Sequence, residues 1–436
     1  MNRIFIAFTV LVSSSLALAQ SEIPPATPER KRAIVDTLAQ MIAKEYLFGD
    51  LAEAAVELIT DRYARGAYDT LKWLPDFTHA VTADLRSVTK DRHLGVWAEP
   101  EHALMIYRAT GAQRDSLNRE RGRYNNFGFE KVERLRCNIG YLKLNQFSGL
   151  EEAARVAEGA MSFLANSEAV IIDLRENGGG SPQMIQLMSS YFLNGRVHLN
   201  SFICPRNGKH EQYWTYANLN GVRMLSQPVY ILQSSQSFSA AEEFAYNLQA
   251  LRRATIIGDT TGGGAHDNHT YGLPDLGVTI SIPFTRAVNP ITGSNWEGVG
   301  VLPDIPCEDS VALELAMLEA ARRLHQSETD ERRLQQLSWL IDELNAHVNP
   351  VQLSETELSF FAGGYGPRSV TLRDGVLFYQ RDNGQLRKLT PLTARRFAVE
   401  GLSYFRIEFA GSESTPAEAI IGLYEDGSTD RSDRTN

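Results

Sequence analysis

Cysteine is scarce. Cys137, Cys204 and Cys307 are the only three in 436 residues, and no two form a C-x-x-C pair. That removes the usual spacings for structural zinc and dithiol redox chemistry, and the three read as buried, inert thiols. Positive charge is not in excess either: 43 Lys plus Arg face 53 Asp plus Glu, a formal net charge of −10. With no basic stripe as well, nucleic acid is not an expected partner. Beyond the first twenty residues no apolar run approaches the roughly 20 residues that a membrane-spanning helix needs. Internal repeats and low-complexity tracts are missing too. What remains is 43% hydrophobic and 22% charged residues, the balance of a folded chain whose length suggests two or three domains.

The N-terminus carries its own pattern. Arg3 precedes the apolar run "IFIAFTVLVSSSLALA", which closes on Ala17-Leu18-Ala19. A positive start, a short apolar core and a small-x-small end describe a secretory signal cleaved after Ala19. The run is too short and too rich in serine for a span, and no cysteine follows it to carry a lipid. The expectation is a periplasmic or secreted protein with no integral membrane association after cleavage.

Periodicity divides the rest. Ile34, Leu38, Met41 and Ile42, then Ala55, Leu58 and Ile59, then Val81, Leu85 and Val88 recur at helical spacing, so residues 20–98 read as a helical domain. From 99 to 308 short apolar runs alternate with amphipathic stretches: "IGYLKL", "AVIIDLR", "VYILQ" and "ATIIG" are strands with helices between them. Continuous apolar strands joined by helices imply an α/β layer with crossover connections. Residues 309–349 read as a two-helix connector. Residues 350–436, with an Asp-Gly and an Asn-Gly turn amid alternating residues, read as a small antiparallel β domain.

The stretch "SSQSFSAAEEFAYNLQ" puts four serines ahead of a helix. Ser239-Ala-Ala-Glu242 is a capping box, and that alone accounts for Ser239. The same place, between a buried strand and a helix N-terminus, also suits an acyl-transfer nucleophile. The following N–H, on Ala240, could then donate to an oxyanion. The G-x-S-x-G elbow of ordinary α/β-hydrolases is absent. Local rules leave both readings open.

Three segments in order shift the balance: "DLRENGGGSP", "SFSAAEEFAYNLQALRRATIIGDTTGGGAH" and "WEGVGVLPDI". Together they resemble the S41 peptidases, which comprise tail-specific proteases, the tricorn core protease and retinoid-binding-protein modules. The resemblance covers roughly residues 30–308, with the helical N-terminal part closest to the retinoid-binding-protein branch. It implies a crotonase-like or ClpP-like β-α-β superhelical core over 99–308. It also implies a serine-type peptidase acting on a peptide or protein substrate, without metal or cofactor. Ser239 matches the family's nucleophile. The tail-specific branch carries a base lysine in the next glycine loop, where this chain has Gly264, so a Ser–Lys dyad is not expected. The tricorn-like branch uses a histidine and a glutamate, and those positions fall on His93 in "KDRHLG" and Glu297 in "NWEGVG". Arg92 stands where tricorn has a serine before its histidine.

The resemblance thus implies a Ser239–His93–Glu297 triad, with Gly179 and then Gly180 of the "NGGG" turn as second oxyanion donor beside Ala240. His266 and His269 read as loop or substrate-pocket residues, His79 and His102 as minor competitors for the base. Asp173 and Asp304 read as structural anchors. A carrier of hydrophobic ligands and a tail-specific processing protease are the alternatives, and a homo-oligomer is left open.

Overall fold

The computed structural model describes residues 23–108, 119–412 and 415–435. The segment read as a signal lies outside the described residues. The chain divides into two units. One holds residues 23–108 together with 268–284, and the other holds 119–267 with the described residues from 285 onward.

The first unit begins with helix Pro28–Glu45. Thr27 caps it, accepting from the Arg30 N–H at 3.2 Å, and Pro28 fits the first helical position, where an N–H has no intrahelical partner. Its face of Ile34, Val35, Leu38 and Ile42 is buried against helices Gly49–Ala64 and Leu74–Thr89. The unit also includes residues 268–284 because Val278, Ile280 and Ile282, alternate positions of one strand, enter that core. The same strand pairs antiparallel with Gly95–Trp97, Gly95 opposite Ser281.

The second unit is built on a sheet in the order Ile305–Pro306, Ala254–Gly258, Val229–Gln233, Ala169–Asp173 and Ile139–Leu144. All five run parallel, and Phe129–Arg134 lies antiparallel on the far edge. Alternation along the strands explains their unbroken apolar runs. Val170 and Ile172 join a core with Phe147, Met161, Met184 and Phe244, while Ala169 and Ile171 face Ala316, Ala320 and Leu340 on the opposite side. Helices Leu150–Leu164, Pro182–Ser190 and Ala240–Ala250 supply the first layer, and Ala312–Ser327 with Glu331–Val348 the second. A sheet buried on both faces has no polar face to show in sequence.

The C-terminal part is an eight-strand antiparallel meander from Gly363–Tyr365 to Thr429–Asp433. The Thr435 N–H donates to Gly364 O at 2.9 Å, which joins the first strand to the last and closes the meander. Its interior is filled by Tyr365, Val370, Leu377, Phe397, Phe409 and Ile420. No helix among the described residues is long and apolar enough to cross a membrane.

All three cysteines are free thiols. Cys204 is buried, while Cys137 and Cys307 are half-buried. Burial pushes the Cys137 and Cys307 thiols up, which suppresses the thiolate form that reacts.

Candidate active site

The four serines separate by what their hydroxyls do. Ser234 Oγ donates to Arg175 O at 2.6 Å and accepts from Gln236 N. Ser237 Oγ donates to Leu174 O at 2.7 Å and accepts from Ser234 N. Both tie the turn to the end of the neighbouring strand, and Ser235 is exposed. Ser239 begins helix Ala240–Ala250 with φ +54° and ψ −117°. A positive φ strains any residue with a Cβ, by roughly 1–3 kcal/mol, and must be held by its surroundings. The hold is visible: the Ser239 N–H donates to Glu242 Oε2 at 2.8 Å. This is the glutamate half of the capping box. The serine half has the box arrangement, but its Oγ takes no cap hydrogen bond.

The glycine turn lies against this serine. A Cβ on Gly179 would stand 2.8 Å from Ser239 Cβ and 3.1 Å from Ala240 N, so only glycine permits the approach. Its φ of +114° also requires glycine. Asn177, fully buried, organises the turn. Its Nδ2 donates to Leu144 O at 2.8 Å, its Oδ1 accepts the Gly179 N–H at 2.9 Å, and its carbonyl accepts the Phe238 N–H at 3.0 Å. The Gly179 amide, first choice from the sequence as an oxyanion donor, is therefore engaged by Asn177. The N–H groups of Gly180 and Ala240 have no acceptor among the described residues.

Glu242 is fully buried and gathers four donors. Besides Ser239 N, Oε1 accepts from Thr261 Oγ1 at 2.5 Å and Gly263 N at 2.6 Å, and Oε2 accepts from Gly264 N at 2.8 Å. Burial pushes its carboxyl up, and the four donors pull the other way. Gly264, at the position of the tail-specific lysine, thus contributes backbone only: its carbonyl accepts the Trp296 indole N–H at 2.8 Å.

The next amide reaches Glu297. Ala265 N donates to Glu297 Oε2 at 2.5 Å, and His266 Nδ1 stands 3.5 Å from the same oxygen. The Glu297 N–H is fixed by Asn295 Oδ1 at 3.0 Å. His266 is buried, while His269 belongs to the other unit and stacks on Phe284 at 3.9 Å.

His93 also belongs to that first unit, in the turn where Lys90, at φ +57°, ends helix Leu74–Thr89. It is buried. Its N–H donates to Asp91 Oδ1 at 2.9 Å, and Tyr46 OH donates to Asp91 Oδ2 at 3.2 Å. Arg86 holds the same turn through the carbonyls of Arg92 and Leu94. His79 and His102 are exposed, His102 beside Glu99 at 3.0 Å. Asp173 is clasped by Arg175 and Tyr141. Burial opposes its charge, but the guanidinium prevails and holds the carboxyl below its usual range. Asp304 accepts from Ile256 N and Gln249 Nε2. The second unit therefore brings together Ser239, Ala240, the 179–180 turn, Glu242 and Glu297, while His93 lies in the first. Sequence reasoning missed the clamp around Glu242 and the role of Asn177; the capping box and the "NGGG" turn were their only traces.

Residues 138–307 match the model of peptidase family S41. Carboxyl-terminal-processing peptidase 2, chloroplastic, of Arabidopsis thaliana is 30% identical over 175 residues, 39% of this chain and 32% of its own length. The carboxy-terminal-processing protease of Bartonella bacilliformis is 28% identical over 185 residues, 40% of each. Among solved structures, the tricorn protease aligns over 73% of this chain and 37% of its own, at 16% identity and a TM-score of 0.42. The chain spans about a third to two-fifths of the length of these curated relatives.

Proposed function

Residues 138–307 belong to peptidase family S41, and from that premise we propose that the chain is an exported serine peptidase that cleaves peptide bonds through an acyl-enzyme on Ser239. The observation that carries the proposal is the setting of Ser239, held at positive φ on a helix N-terminus with no cap hydrogen bond to its Oγ and the Gly179 backbone against it. In this reading Oγ attacks the scissile carbonyl carbon, and the oxyanion receives the N–H groups of Ala240 and Gly180. Donors of that kind are each worth on the order of 10²–10³ in rate.

His93 takes the Ser239 proton as the C–O bond forms and returns it to the leaving amine. Water then repeats the exchange to release the acid. Glu297 orients the imidazole and stabilises its cation. A lysine base is not available at Gly264, whose amide serves Glu242. The relatives named for carboxyl-terminal processing favour a substrate cut near its C-terminus. The Arg3–Ala19 pattern favours export to the periplasm or beyond.

His266 supports a second assignment of the base, because it is the imidazole 3.5 Å from Glu297 within the same unit. Cleavage of a peptide mixture by single variants separates the two. Ser239→Ala and His93→Ala are expected to lose activity by several orders of magnitude, as triad variants do, with melting temperatures near that of the wild type. His266→Ala is expected to keep most of it. Inactivity of His266→Ala alongside an active His93→Ala would transfer the base to His266. Full activity of Ser239→Ala would end the nucleophile assignment, and a wild type that cleaves nothing would leave a carrier.

A further inference from the structure

We propose that Glu242 is a positioning residue that fixes Ser239 and Glu297 relative to each other through the loop 261–265, an inference that rests on the nucleophile assignment above. On one side of the loop its donors meet Glu242. Thr261 Oγ1, Gly263 N and Gly264 N all point to that carboxylate, whose remaining lone pair takes Ser239 N. On the other side the same residues hold the segment carrying Glu297. Gly263 O accepts from Gly298 N at 3.0 Å, Gly264 O accepts from the Trp296 indole at 2.8 Å, and Thr261 Oγ1 accepts from Val301 N at 2.7 Å. The next amide, Ala265 N, donates to the Glu297 carboxylate itself.

Glycine makes this layering compact. A Cβ on Gly300 would lie 2.4 Å from Thr261 O, and one on Gly263 3.1 Å from Gly300 N. One buried carboxylate therefore anchors the strained serine directly, and the orienting glutamate through a loop with no side chain beyond Cβ at Gly263, Gly264 and Ala265.

Four donors leave no acceptor site free on either oxygen, so the clamp requires the ionised acid. A carboxamide of the same shape fails, because its NH₂ end would face two donors. Glu242→Gln is expected to label Ser239 with a fluorophosphonate on the order of 10²-fold more slowly at equal folded fraction, the scale of a small misplacement of reacting groups. The pH midpoint of labelling is expected to move toward acid, as in Glu297→Gln, because an imidazole that loses its carboxylate holds its proton less tightly.

Hydrogen exchange of the intact protein provides a readout that a local cap would not move. Protection is expected to fall at Ala265, whose acceptor is Glu297, as well as at Ser239, Gly263 and Gly264. Should Glu242→Gln fail to fold, Thr261→Val is expected to show the same changes in milder form, with Thr261→Ser restoring the wild type. Wild-type protection at Ala265, or labelling that follows the folded fraction alone with an unmoved midpoint, overturns the inference. A wild type that is never labelled sinks the nucleophile assignment instead, and exchange at Ala265 still decides the clamp.

Discussion

Ser234, Ser235, Ser237 and Ser239 carry the same hydroxyl, and the backbone beneath each one determines what it does. Two are consumed by the carbonyls of Leu174 and Arg175, one faces solvent, and Ser239 alone combines positive φ with a hydroxyl that takes no cap hydrogen bond. Neighbouring glutamates diverge in the same way. Glu242 is ringed by donors, whereas Glu243, equally buried, is pushed up to about 8, first by burial and further by the nearby Asp267. The folded protein therefore keeps the Glu243 proton across a range in which the unfolded chain, titrating near the ordinary ~4.3, has released it. Stability should be fully present below about pH 4.5, fall as pH rises toward 8, and level off above that. Melting curves from pH 5 to 9 are expected to show this decline in the wild type and a flatter one in Glu243→Gln. An unchanged slope in the variant would contradict the assignment. In sequence the pair was legible only as a capping box and its neighbour. Three of the four donors to Glu242 come from 19 to 22 residues downstream, a separation local rules do not reach.

The elements themselves were easier to read. Strands such as Ala169–Asp173 and Val229–Gln233 are apolar at every position up to their ends because successive side chains enter cores on opposite faces of the sheet. The same fact makes the turns at the strand ends the place for polar chemistry. At this scale the glycine turn is the sharpest test. Gly179→Ala places a methyl 2.8 Å from Ser239 Cβ at a φ of +114°, and something must shift. Labelling of Ser239 is expected to slow by on the order of 10²-fold or more, with a lowered melting temperature. A variant labelled at the wild-type rate would show that the turn does not border the reacting atoms. Which glycine supplies the oxyanion donor was not legible from the motif, because Asn177 Oδ1, two residues earlier, takes the Gly179 amide.

For the molecule as a whole, the order of helical, α/β and β regions could be read from changes in periodicity, and the α/β class with a C-terminal antiparallel sheet is what the structure contains. Closure of the β meander could not, because it depends on Gly364 meeting Thr435 across some seventy residues and on the accumulated register of every hairpin between them. Filled by aromatic side chains, its interior is a packed core. Helix Glu331–Val348 meets it through Arg406, which is buried with its guanidinium 3.7 Å from the Trp339 ring centroid. The functional account asks more of the chain than any one region holds, since His93 lies outside residues 138–307. The most direct measurement is fluorophosphonate labelling of the intact protein, followed by peptide mapping of the adduct in the wild type and in His93→Ala. The account predicts a single adduct on Ser239 that disappears in His93→Ala. An adduct on another residue, or one that forms on Ser239 equally fast without His93, would contradict it.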